Sequence, residues 1–131
     1  MEKYIEIFDN MFNSPSKHDS LKKPKVVYRA LQSQLSNEQN AAIIKSSGIF
    51  DEQSFISTSP NLDVAKRFWH KNPIMEITLP EKTPYLKLDE LFNIDGQHWR
   101  EEEFLLPRNS RFLITGRDWE KNIIKAQFLL D

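Results

Sequence analysis

The sequence predicts an α+β fold, with helices early in the chain and strands late. Three observations carry this. Apolar residues recur at helical spacing at the N-terminus and again in two segments before Pro73. From Pro73 onward, short β-branched and aromatic runs follow one another, separated by Pro, Gly or Asn turns. Helices grouped before strands, rather than alternating with them, argue against a doubly wound sheet. There is no internal repeat, low-complexity tract or linker long enough to divide the chain, so a single domain is expected over residues 1–131.

Tyr4, Ile5, Phe8, Met11 and Phe12 form one apolar stripe and predict an opening amphipathic helix. Asn13 to Lys25, with Pro15, Pro24 and several Ser and Lys, reads as a loop. Lys25 to Arg29 (KVVYR) reads as a strand ending at the arginine. Ser36 followed by Gln39 is a capping box for a helix through Ala41, Ala42, Ile43 and Ile44 that closes before Gly48. Phe55 to Ser57 reads as a short strand, and Asn61 caps a short helix carrying Leu62, Ala65, Phe68 and Trp69. Five strands follow: Ile74 to Leu79, Tyr85 to Leu88, Glu101 to Leu106, Arg111 to Thr115 and Ile123 to Leu130.

Composition narrows the function classes. The chain has 131 residues, 39% of them hydrophobic, which suits one modest core. A formal net charge of −1 gives no overall field favouring nucleic acid or an anionic membrane, so neither partner is expected. Lys22, Lys23 and Lys25 read as a solvated edge. The absence of cysteine excludes disulfides, thiolate metal sites and cysteine nucleophiles. His18, His70 and His98 lie far apart without ligand spacing, so no metal is expected. Glu2, Glu6 and Asp9 in the first twelve residues are unlike a signal peptide, and no apolar run approaches a membrane span. A soluble monomer is expected, cytoplasmic or exported by a signal-independent route.

Three places carry candidate chemistry. In Arg100 to Pro107 (REEEFLLP), a strand would put Glu101 and Glu103 on one face, about 6.6 Å apart from two rises of ~3.3 Å. Such a triplet is either a charged edge strand that resists aggregation or a carboxylate pair working at a sugar. In the second case one carboxylate stabilises an oxocarbenium-like transition state while the other handles a proton, in glycoside hydrolysis or in ribosyl transfer. Ser57, Thr58 and Ser59 supply hydroxyls that either make a turn before Pro60 or fix a carboxylate. Arg29, at a strand end, is either a surface arginine or a fork for a phosphate or ribose.

The order and context of these segments resemble the arginine–serine–glutamate class of mono-ADP-ribosyltransferases, which includes actin-modifying binary toxins and C3-like exoenzymes. The resemblance rests on Val26-Val27-Tyr28-Arg29, on Gly48 to Ser59 (GIFDEQSFISTS), and on Glu101 to Arg111 (EEEFLLPRNSR). Ala65, Phe68 and the strand Ile74 to Pro80 also fit, so the motif-bearing core covers about 26–117.

The resemblance implies two small, strongly curved antiparallel sheets packed face to face with flanking helices, and NAD in the cleft between them. It implies that Arg29 grips the NAD phosphate and nicotinamide-side ribose, with the Ala30 backbone at the carboxamide and Thr58 and Ser59 beside the site. Ser57 would hold Glu103, which would bind the ribose 2′-hydroxyl and stabilise the oxocarbenium ion. Glu101 would orient or deprotonate the acceptor, and Glu at this position points to a protein arginine. Phe92 to Arg100 would be the target-recognition turn, with Trp99 as its aromatic contact or as simple packing. Arg67 would reach the NAD phosphates or pair with Asp63. Two features depart from the family pattern: Ala30 stands where Gly is frequent, and only 28 residues precede Arg29, which leaves a minimal roof over the cleft. The resemblance leaves two rivals to protein modification: an NAD glycohydrolase, and a non-catalytic NAD-fold binding module.

Overall fold

The computed structural model describes residues 2–31, 37–45, 47–66, 73–87 and 103–130. It contains three helices, α1 (Glu2–Phe12), α2 (Asn37–Lys45) and α3 (Leu62–Lys66), and nine strands among these residues. The strands are β1 (Asp19–Ser20), β2 (Lys25–Ala30), β3 (Gly48–Glu52), β4 (Ile56–Thr58) and β5 (Ile74–Leu79), followed by β6 (Pro84–Lys87), β7 (Phe104–Leu106), β8 (Ser110–Asp118) and β9 (Ile123–Phe128). They form a four-stranded sheet in the order β1-β6-β7-β4 and a five-stranded sheet in the order β2-β5-β9-β8-β3.

Two sheets with few helices is the expected architecture, with one refinement. Every ladder is antiparallel except β5–β9, which is parallel in the middle of the larger sheet. The chain between those two strands builds β6 and β7 in the other sheet and β8 in the same one, so β9 returns alongside β5 in the same direction.

Period-two alternation explains how the sheets meet. On β2, Val27 and Arg29 are buried, with Val26 exposed and Tyr28 half-buried between them. Val27 opposes Ile77 on β5, and Ile77 opposes Ala126 on β9. These residues join Phe50, Phe112 and Ile114 of the same sheet, and Ile56, Phe104 and Leu106 of the other, in one apolar core. Burying each large side chain contributes roughly 1.5–3 kcal/mol. Ala42 and Ile43 of α2 close part of this core.

The outer faces are covered locally. The predicted stripe of α1 puts Phe8 against Leu86 and Leu105, with Met11, Phe12 and Phe55 around them. Phe8 meets the Phe55 ring edge-on at 5.4 Å. On the larger sheet, Ala65 and Leu62 of α3 pack on Ile74, Ile123 and Tyr28.

The larger sheet is strongly curved. An extra residue, Thr115, interrupts the β8–β9 register between Ile114 and Gly116, and such a bulge increases twist. Strands β2 and β3 are its two edges, about 19 Å apart if four spacings of ~4.8 Å lay flat. Side chains from these two edges nevertheless touch, Arg29 on β2 meeting Glu52 on β3.

Candidate active site

Arg29 sits near the end of β2, on the inward face that Val27 begins. Its side chain is only 9% exposed, and Nη1 donates to Oε2 of Glu52 at 3.3 Å. Burial pulls the guanidinium below its ordinary value, while the Glu52 charge and hydrogen bond oppose this. An arginine stays charged through such a shift, so the site contains a buried cation held by a carboxylate.

That ion pair joins opposite edges of the larger sheet. Across the ladders Arg29 pairs with Met75, Met75 with Ile124 and Ile124 with Arg117. Arg117 lies at one end of β8, whereas Ser110, the partner of Glu52, lies at the other. Arg29 and Glu52 therefore occupy diagonal corners of the sheet. They meet only because the sheet curls toward barrel closure with a stagger between its edges.

The other two motif segments are fastened beside Arg29 by backbone. Tyr28 and Ser59 exchange both main-chain hydrogen bonds, at 2.7 and 3.0 Å. One residue back from Ser59, Thr58 pairs with Phe104 on β7, and Ser57 pairs with Leu105. Arg29, Ser57 and Glu103 are thus each next to a residue in one continuous set of pairings, although 28 and 46 positions separate the three segments along the chain (29 to 57, and 57 to 103).

The three hydroxyls of Ser57-Thr58-Ser59 have different employment. Thr58 is buried, and its Oγ1 donates to the Phe104 carbonyl at 2.9 Å. Ser59 is buried, and its Oγ accepts from Asn61 N at 3.1 Å, which makes the turn into α3. Asn61 then caps α3, its Oδ1 accepting from Asp63 N at 2.9 Å, as its position before the helix predicts. Ser57 is exposed.

Glu103 is half-buried and immediately precedes β7, which starts at Phe104 rather than at Glu101. The strand expected over the whole glutamate triplet is thus shorter among the described residues. Phe104 contributes through its ring as well as its carbonyl: Lys25 Nζ and Lys87 Nζ lie 5.2 and 5.8 Å from the ring centroid, and Tyr85 packs edge-on at 5.0 Å. Two cations therefore stand close to the residue that follows Glu103.

Ala30 ends β2 opposite Ile74. Glu101, Arg67, Trp99, the turn Phe92 to Arg100, Ser36 of the capping box, and Phe68 and Trp69 lie outside the described residues. Sequence reasoning missed Glu52 as the partner of Arg29, and it missed the placement of Lys25 and Lys87 over the Phe104 ring. Glu52 falls inside the GIFDEQSFISTS segment but carried no assigned role, and Lys25 read as part of a solvated edge. Among the described residues, no cluster of three acidic or imidazole groups could hold a metal ion. None of the described helices is long and apolar enough to cross a membrane.

The fold thus brings together the three segments on which the family resemblance rests: the strand that ends in Tyr28-Arg29-Ala30, the Ser57-Thr58-Ser59 turn and the strand that follows Glu103. The chain belongs to the ADP-ribosyltransferase exoenzyme family, whose sequence profile matches residues 2–131. Solved structures agree on the fold. Plx2a, an ADP-ribosyltransferase toxin from Paenibacillus larvae, superposes with a TM-score of 0.67 at 21% identity, over 98% of this chain and 70% of that one. The C3 exoenzyme of Clostridium limosum gives 0.67 at 17%, over 98% and 68%. C3stau2 from S. aureus, solved with NAD, gives 0.62 at 20%, over 98% and 71%. Comparison with curated proteins finds no significant match.

Proposed function

We propose that this chain transfers ADP-ribose from NAD to an arginine side chain of a protein and releases nicotinamide, residues 1–131 acting as one minimal transferase domain. The observation that supports the reading is the backbone pairing of Tyr28 with Ser59 and of Thr58 with Phe104, which joins the three segments that carry Arg29, Ser57 and Glu103. Membership of the family supports the reaction class, and the relative solved with NAD supports the co-substrate. The chain's own residues fit that co-substrate: a pyrophosphate needs a cation, and a largely buried guanidinium with a planar fork is suited to one.

Each residue then has a task. Arg29 binds the phosphate and the nicotinamide-side ribose, next to the Ala30 backbone. Ser57, the exposed hydroxyl of its turn, orients Glu103. Glu103 binds the ribose 2′-hydroxyl and stabilises positive charge on the ribose as the C1′–N bond breaks and nicotinamide leaves neutral with the electron pair. Thr58 and Ser59 hold the strand that presents Ser57. Glu101 takes a proton from the acceptor guanidinium as its nitrogen bonds to C1′. Trp99 contacts the acceptor protein, and Arg67 supports the phosphates.

The test is transfer from labelled NAD into proteins of a cell lysate, read by mass spectrometry. The wild type labels arginine. Glu103→Gln loses about a hundredfold or more in both nicotinamide release and transfer, since it removes a charge directed at the transition state. Glu101→Gln loses transfer while retaining nicotinamide release. Full turnover in Glu103→Gln overturns the roles; free ADP-ribose as the sole product of the wild type makes the chain a glycohydrolase.

A further inference from the structure

The geometry points to Glu52 as a positioning residue for NAD, one that orients the Arg29 guanidinium from across the curled sheet; the inference rests on the NAD-binding role proposed for Arg29. Both oxygens of the Glu52 carboxylate are held. Oε2 accepts from Arg29 Nη1 at 3.3 Å, and Oε1 accepts from the Ser54 backbone N–H at 3.2 Å. The carboxylate is therefore anchored to the β3–β4 turn, two residues along the chain, before it meets the arginine. At 14% exposure for Glu52 and 9% for Arg29, the pair is little screened by solvent.

Position in the fold makes this more than local charge balance. Among the described residues Arg29 lies on an edge strand of the larger sheet, and a long side chain has rotamer freedom to lose when it is fixed on a ligand. Glu52 comes from the opposite edge and fixes one end of the guanidinium fork. A planar fork with one nitrogen already aligned presents its remaining donors in a set plane, which lowers the ordering cost of gripping a phosphate or ribose. The same anchor ties Arg29 to the segment that leads directly into Ser57, through Gln53 to Phe55. Movement of the turn is thereby transmitted to the arginine.

A competing electrostatic effect has the opposite sign. Removing an acidic group beside a phosphate-binding cation strengthens the net attraction for an anion. Orientation of the guanidinium outweighs this, so loss of Glu52 weakens NAD binding. The two effects separate experimentally.

NAD dissociation constants are measured by calorimetry for the wild type, Glu52→Ala, Glu52→Asp, Arg29→Lys and the Glu52→Ala/Arg29→Lys double variant, with thermal melts confirming the fold. Glu52→Ala is expected to weaken binding about tenfold, and Glu52→Asp, which keeps the charge but falls one methylene short, about threefold. In the Arg29→Lys background, which lacks the fork, the further effect of Glu52→Ala shrinks to less than about twofold, because a residue acting through Arg29 has nothing left to orient. Lower stability with unchanged or tighter NAD binding in Glu52→Ala or Glu52→Asp overturns the proposal, as does an undiminished effect in the double variant. If Glu52→Ala fails to fold, Glu52→Asp alone decides by the same criterion. A wild type that binds no NAD overturns instead the reading of the site on which the proposal rests.

Discussion

Of the three adjacent hydroxyls at the turn before Pro60, two hold backbone and one faces solvent, and this division yields opposite expectations for neighbouring residues. Thr58→Val keeps the shape of the side chain but leaves the buried Phe104 carbonyl without its 2.9 Å donor. It should destabilise the protein by about 1–3 kcal/mol, read as a lower denaturant midpoint at constant slope. Ser57→Ala removes an exposed hydroxyl, so its stability should stay within about 0.5 kcal/mol of wild type while ribosyl transfer falls. A stable Thr58→Val or a fully active Ser57→Ala would contradict these assignments. At this scale the sequence named the arginine, the serine and the glutamate by their motif context. Glu52 was illegible, because its partner lies 23 positions away and across a sheet whose curvature no local pattern encodes. The solvated edge read at Lys22, Lys23 and Lys25 is exposed at its first two lysines, while Lys25 is half-buried over the Phe104 ring of the other sheet, a contact that no local pattern encodes.

Elements with strong periodicity were legible, and those that depend on tertiary pairing were not. The amphipathic stripe of α1 and the apolar runs of β2, β5 and β9 appear close to their expected positions. Strand β3 was missed because only Phe50 among its five residues is buried and its last two are acidic; it forms because β8 supplies a partner edge. Strand β1 is two residues inside an expected loop, held by pairing with β6. The turn into β3 depends on Gly48, which adopts φ +92. A Cβ there would meet nothing within 4 Å, so Gly48→Ala tests backbone strain without a clash. A loss of about 1–2 kcal/mol is expected, with the same folded-state spectrum. No change in melting temperature would mean that the left-handed conformation is not required for β3 to pair.

The whole molecule combines a family fold with low sequence identity, about a fifth to the solved relatives, and the reason lies in what the fold needs. Two curled sheets require alternation and volume at the inward positions, which many apolar residues satisfy. The site requires particular atoms at one place, and these are supplied by a few residues whose spacing along the chain is set by topology. Helices before strands made the α+β class readable, whereas the parallel β5–β9 pair and the edge-to-edge ion pair became visible only with the strand order. The account depends on three distant segments serving one dinucleotide. A crystal structure of the protein soaked or grown with NAD and an inactive Glu103→Gln variant tests this most directly. The account predicts the nicotinamide-side ribose between residue 103 and Ser57, with the Arg29 guanidinium on a phosphate and still paired to Glu52. NAD bound elsewhere, with Arg29 and residue 103 both out of contact with it, would contradict the account.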